Sequence, residues 1–194
     1  MAGRVVFPGG RVDPGDLKLA ASHAVAGDAL LRLTARTRSG FHARRAGALP
    51  LAAIRETWEE TGIMIGRRDE SFSSALPVWS EFAGAGIAPE PERLVPLARA
   101  ITPPGNVRRF DTRFFAVSAD AIGHRVPLES RPTDEFDRVD WLSVDELASE
   151  NLHHITKRVL AQAAARIEDG TLFDPSVPIP FYRRRGDGVR MDLV

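Results

Sequence analysis

Arg4 to Phe7 is a short apolar run that reads as a strand feeding a turn. From Pro14 to about Arg38, Leu17, Ala20, Ala21, Ala24, Ala26 and Leu30 form a loose apolar stripe. That spacing predicts helix, although Gly27 weakens it. Arg38 to Pro50 reads as a loop made basic by Arg38, Arg44 and Arg45, with His42 among them. A helix is predicted from Leu51 to Thr61, and Gly62 is its stop signal. Gly66 to Pro104 is rich in Pro and Gly and predicts short strands, turns and a short helix. Arg109 to Val117 is the clearest strand, because Phe110, Thr112, Phe114 and Ala116 alternate with Asp111, Arg113 and Phe115. A loop with Glu129, Asp134, Glu135 and Asp137 precedes a short strand at Val139 to Leu142. Ser143 and Glu146 then stand in capping-box spacing. His153 to Glu168 carries Ile155, Val159, Leu160, Ala163, Ala164 and Ile167 at helical period. The tail from Gly170 is Pro-rich and runs through Arg183, Arg184 and Arg185.

A chain of 194 residues makes one domain, or one domain with an appendage. We divide it into a domain over 1–170, with an insert at about 17–50, and a C-terminal extension over 171–194. No run of 18 apolar residues exists, so no membrane span is expected. Met1 to Arg4 lacks the apolar stretch of a secretory signal, and a cytoplasmic protein is expected. The absence of cysteine excludes disulfides and thiol chemistry. All basic residues except Lys18 and Lys157 are arginine, a residue suited to bidentate phosphate contacts. The net charge of +0 argues against a dedicated nucleic-acid binder.

The chemistry concentrates in two fragments. Phe7-Pro8-Gly9-Gly10-Arg11 is a tight glycine turn followed by Asp13 and Asp16. Arg55-Glu56-Thr57-Trp58-Glu59-Glu60-Thr61-Gly62-Ile63 is an acidic helix end. Glu56, Glu59 and Glu60 stand at i, i+3 and i+4 and share one face. Three carboxylates there repel one another unless a positive group sits among them, and a hard divalent cation such as Mg²⁺ or Mn²⁺ prefers oxygen ligands. Arg55 lies four residues before Glu59 and is placed to orient the carboxylates. Glycine lets the backbone of the turn come close to such a site.

These two fragments resemble the Nudix hydrolase family. Its motif is a Gly, five residues, Glu, seven residues, then Arg-Glu-apolar-x-Glu-Glu-x-Gly-apolar. Gly10 is followed after five residues by Asp16, in place of Glu. Arg55, Glu56, Glu59, Glu60, Gly62 and Ile63 match the second half, with Thr57 at the apolar position. The spacing departs strongly: 38 residues lie between Asp16 and Arg55, so the insert adds 31. The resemblance implies an α/β/α sandwich around a mixed β-sheet, with a largely helical insert. It also implies Mg²⁺ or Mn²⁺ held by Glu56, Glu59, Glu60 and the Gly9 backbone, with Arg55 orienting the helix. Such an enzyme hydrolyses the diphosphate of a nucleoside diphosphate derivative. Family members normally carry one or two strands before the glycine turn, whereas six residues precede Phe7. The expectation is a missing N-terminal strand or hairpin, by one of two routes: either the chain begins late, or a second copy of it completes the sheet as a homodimer.

Some members of the family take a further Glu from a loop ahead of a strand bearing Trp. Glu135, six residues before Trp141, fits that arrangement as the general base. Asp134, Asp137 and Glu129 are rivals, and Glu59 or Glu60 are others. An insert within the motif resembles the branch of coenzyme A diphosphatases, as do Phe7 to Asp13 and Arg109 to Phe115. Coenzyme A or acyl-CoA is then the expected substrate. ADP-ribose, NADH and dinucleoside polyphosphates stay open, as does an inactive nucleotide-binding scaffold. Arg11, Arg109 and Arg113 are candidate phosphate contacts, and Arg32, Arg36, Arg38, Arg44 and Arg45 form a basic set in the insert that would suit a 3′-phosphate. Trp79, Phe110, Phe114 and Trp141 are candidates to stack a base. His153 and His154 lack partners at metal-ligand spacing and are expected to serve packing or surface.

Overall fold

The computed structural model describes residues 4–105, 107–127, 130, 138–185 and 188–194. Asp13 caps helix α1 (Pro14–Leu19), and Asp16 returns a bond to the Asp13 N–H, closing a capping box. Helix α2 (Gly27–Thr34) follows after a turn. The predicted single helix from Pro14 to Arg38 is thus two, separated by residues 20–26, and α2 opens at Gly27 with φ 58°.

Helix α3 (Ala43–Thr61) begins well before the predicted Leu51. Pro50 lies within it, buried, and removes only one backbone donor from an otherwise helix-favouring Ala- and Leu-rich run. The segment from Ala43 to Pro50 is therefore helical and not loop. Gly62 ends α3 in the left-handed region at φ 71°, and its N–H bonds the Trp58 carbonyl. A side chain there would meet the Val126 carbonyl at 2.8 Å.

Strands β1 (Ile63–Arg68), β2 (Ile87–Pro89) and β5 (Ile122–Arg125) form an antiparallel sheet in the order β2-β1-β5. Helix α4 (Trp79–Gly84) lies between β1 and β2 in sequence. Strands β3 (Val95–Ile101), β4 (Asp111–Ala116), β6 (Pro180–Arg185) and β7 (Gly188–Leu193) form a second sheet, β4-β3-β6-β7. Its β3–β6 pair is parallel and the other pairs are antiparallel, so the sheet is mixed. The tail from Gly170 supplies β6 and β7, and β6 covers the flank of β3 away from β4.

Two helical layers flank this sheet. Ala98, Ala100, Phe114 and Tyr182 pack against Val159, Ile155 and Ala163 of α6 (His154–Glu168). On the other face Phe115 joins Leu51, Ile54 and Trp58 of α3, and also the small cluster of Val25, Leu33 and Ala46. The result is the expected α/β/α sandwich. Arg166 fixes the link from α6 to β6. It is buried and donates to the carbonyls of Thr171 and Asp174 at 2.6 Å and of Pro96 at 3.4 Å. Burial lowers its pKa from the usual arginine value.

Three shorter expectations change. Among the described residues, Arg4 to Phe7 makes a single parallel bridge, Val5 to Leu152, and no strand. Residues 139–142 are not a strand, while Ser143 does cap helix α5 (Val144–Ser149). Glu135, with Glu129, Asp134 and Asp137, lies outside the described residues. Among the described residues no helix is long and apolar enough to cross a membrane.

Candidate active site

The two motif fragments, far apart in sequence, meet through Arg55. Its Nε donates to Asp16 Oδ1 at 3.1 Å, and one terminal nitrogen donates to the Arg11 carbonyl at 2.6 Å. The other terminal nitrogen donates to Glu56 at 2.9 Å and to Glu59 at 2.6 Å. One guanidinium therefore ties the glycine turn, the start of α1 and two helix carboxylates together. Glu60 adds a second tie, because its Oε2 accepts the Gly9 N–H at 3.0 Å.

The close approach explains the second glycine. A side chain on Gly10 would stand 2.1 Å from Glu56 Oε1. Only glycine fits there without moving the carboxylate.

Asp16 is 0% exposed and accepts from Arg55 and from the Asp13 N–H at 2.8 Å. Burial pushes its carboxyl up, against the lowering pull of Arg55 and the Asp13 N–H. At Arg55 burial works against the charge, but Asp16, Glu56 and Glu59 outweigh it and raise the guanidinium above its ordinary value. Arg55 is therefore fixed as a cation at every physiological pH.

The carboxylates differ in access. Glu60 is buried, at 4% exposed, whereas the Glu59 side chain is 35% exposed. Among the described residues no three His, Cys, Asp or Glu side chains gather as a ready metal cluster. Glu56 and Glu59 turn to Arg55, and Glu60 turns to the glycine turn. The candidate donors, the Glu56, Glu59 and Glu60 carboxylates and the Gly9 carbonyl, are nonetheless all oxygens, which is the chemistry a hard cation takes.

Of the candidate phosphate contacts, Arg11 lies over the ring of Phe110, 5.7 Å from its centroid. Arg109 is exposed and donates to the Thr102 carbonyl. Arg113 is drawn instead into the sheet, with its side chain 5% exposed, where it pairs with Asp111 at 2.7 Å. Among the stacking candidates, Trp79 is wholly buried, and Phe114 is partly buried, packed toward α6 and edge-on to Phe7 with ring centroids 6.5 Å apart. Phe110 and Trp141 are open, at 45% and 71% exposed. The His153 and His154 rings lie 4.1 Å apart at the N-terminus of α6, where His153 accepts the Ile155 N–H.

Arg99 and Arg166 were not legible as functional or structural positions from sequence. Arg99 interrupts an apolar strand pattern, and that interruption was the available signal. It is buried and donates to both oxygens of Asp111 at 2.8 Å and to the Ala35 carbonyl at 2.7 Å.

The α/β architecture, with its mixed sheet between helical layers, matches a Nudix-like fold. The solved structure of a Nudix hydrolase from Alicyclobacillus acidocaldarius superposes with a TM-score of 0.59 at 26% identity, covering 88% of this chain and 82% of that one. That likeness supports general membership of the Nudix hydrolase family. No family model and no curated protein matches the chain.

Proposed function

We propose that this protein hydrolyses the pyrophosphate linkage of a nucleoside diphosphate derivative, with coenzyme A or acyl-CoA as its substrate. The observation that carries the reading is the Arg55 network, which rebuilds a split motif across a 31-residue insert. The likeness to a Nudix hydrolase supports diphosphatase chemistry in general. The insert within the motif supports the coenzyme A assignment.

Glu56, Glu59, Glu60 and the Gly9 backbone would hold Mg²⁺ or Mn²⁺. Such an ion, when bound, neutralises diphosphate charge and activates water. Arg55 keeps Glu56 and Glu59 on one side of the helix and stays charged throughout. Glu60 holds the glycine turn against α3. Glu59 has the most accessible carboxylate of the three, and its Oε2 is the atom bound to Arg55. Its other oxygen is the one we assign to accept the proton of the attacking water. Glu135 is the alternative base. Arg11 and Arg109 would bind phosphate from the open side of Phe110. No membrane and no nucleic acid enter this reading.

A second reading is a nucleotide-binding scaffold without turnover. It is favoured by the carboxylates facing Arg55 and Gly9 and not a common point. Products from CoA, acyl-CoA, ADP-ribose, NADH and dinucleoside polyphosphates, read by mass spectrometry with Mg²⁺ or Mn²⁺, separate the readings. Cleavage of CoA compounds at the diphosphate is expected. Preference for another substrate would remove the coenzyme A assignment and keep the activity.

A further inference from the structure

A broad cleft lies away from the acidic helix. It holds about 800 Å³ between the Arg36–Phe41 segment of the insert, the Arg109–Asp111 end of β4, and β6. Arg36, Arg38, Arg45, Arg99, Arg109 and Arg183 line it, and Asp111 is its acidic residue. The charge of the whole chain is +0, so bulk composition does not produce this local excess.

Pairing does not remove it. Asp111 already serves both Arg99 and Arg113, and Asp192 serves Arg36, Arg183 and Arg190. Arg38, Arg45 and Arg109 have no acidic partner among the described residues. Behind the wall, Arg113 lies over Phe41, 5.4 Å from the ring centroid, and leaves two buried nitrogens without hydrogen-bond partners. Cations crowded in this way repel one another until an anion joins them.

The cleft also reaches the candidate active site. Phe110 lines it, and Arg11 of the glycine turn lies over the same ring. A nucleotide lying along Phe110 would hold its diphosphate near the turn and present its far side to the arginines.

Building on the proposed diphosphatase activity, we infer that this cleft is a subsite for a second phosphoryl group, a phosphomonoester on the nucleotide part remote from the linkage that is cut. The insert then sets specificity, because it supplies Arg36, Arg38 and Arg45. Guanidinium forks match a phosphate dianion at two or more oxygens.

The test uses the full chain and two non-hydrolysable probes, AMP and adenosine 3′,5′-bisphosphate, in titration calorimetry. The bisphosphate is expected to bind about tenfold tighter than AMP. In the Arg38→Gln, Arg45→Gln double variant, both exposed positions, that advantage should fall to about onefold with AMP affinity unchanged. Equal binding of the two probes by the native chain would overturn the inference. So would an advantage that survives in the double variant. Inorganic phosphate is the control: displacement of the bisphosphate and not of AMP by millimolar phosphate is expected, and equal displacement of both counts against the subsite. Because binding is read without turnover, loss of the diphosphatase reading leaves this result standing, and loss of the subsite leaves the diphosphatase reading standing.

Discussion

Asp16 stands where the Nudix motif has glutamate, and its shorter side chain is fully buried beneath Arg55. From there it does not meet a substrate. It holds Arg55, and Arg55 in turn holds Glu56 and Glu59. Asp16→Ala leaves Arg55 paired with Glu56 and Glu59 but removes the charge-assisted bonds beneath it, which are worth about 1.5–3 kcal/mol. Urea unfolding of Asp16→Ala should show a loss of about that size. A loss below about 1 kcal/mol would mean that the pair only positions and does not stabilise. The motif residues themselves were legible, because glutamates at i, i+3 and i+4 report their shared face directly. Asp16's role was not, since the sequence does not show which arginine lies over a carboxylate 39 positions away.

Among the elements, α3 shows where local reading fails. The basic stretch from Arg38 and the proline at 50 suggested a loop, yet the helix runs through Pro50 because tertiary packing of Ala46, Ala48 and Leu51 outweighs one lost bond. Its far end was read correctly, because a glycine at that position has one conformational use. Gly62→Ala should cost about 1–3 kcal/mol, from the left-handed backbone and the approach to the Val126 carbonyl. Thermal unfolding of that variant checks it, and an unchanged midpoint would contradict the cap. The alternation in β4 was also legible, but not its consequence. On their shared face Arg113 is drawn in over Phe41, while Asp111, still partly open to solvent, pairs with Arg99 and Arg113.

Taken together, the insert, the first helix and the C-terminal hairpin close around the mixed sheet. Arg99 joins β3 to the Ala35 carbonyl of the insert, Arg36 joins the insert to Asp192 on β7, and Arg44 donates to the Leu17 carbonyl. These ties cross long stretches of sequence, which is why neither the packing of the insert nor the place of the tail followed from periodicity. Asp111 lies at their centre. Burial tends to raise its carboxyl, but Arg99 and Arg113 outweigh it and hold it below the ordinary aspartate range. A lowered folded-state value means that its contribution is present above the unfolded value, about 3.9, and is lost as pH falls through the folded value. Asp111→Asn should thus be less stable at pH 7, and its urea midpoint should fall less steeply than that of the native chain below about pH 4. Parallel curves for the two proteins would remove Asp111 from the acid response.

The arrangement as a whole stands or falls on carboxylate-dependent cleavage at a diphosphate. The decisive measurement is release of nucleotide product from CoA with Mg²⁺, with and without chelator, for the native chain and for Glu59→Gln checked to be folded. The native chain should turn over only with the divalent ion, and Glu59→Gln should lose about 10²-fold or more of kcat. Metal-independent release, or a Glu59→Gln variant as fast as the native chain, would contradict the assignment.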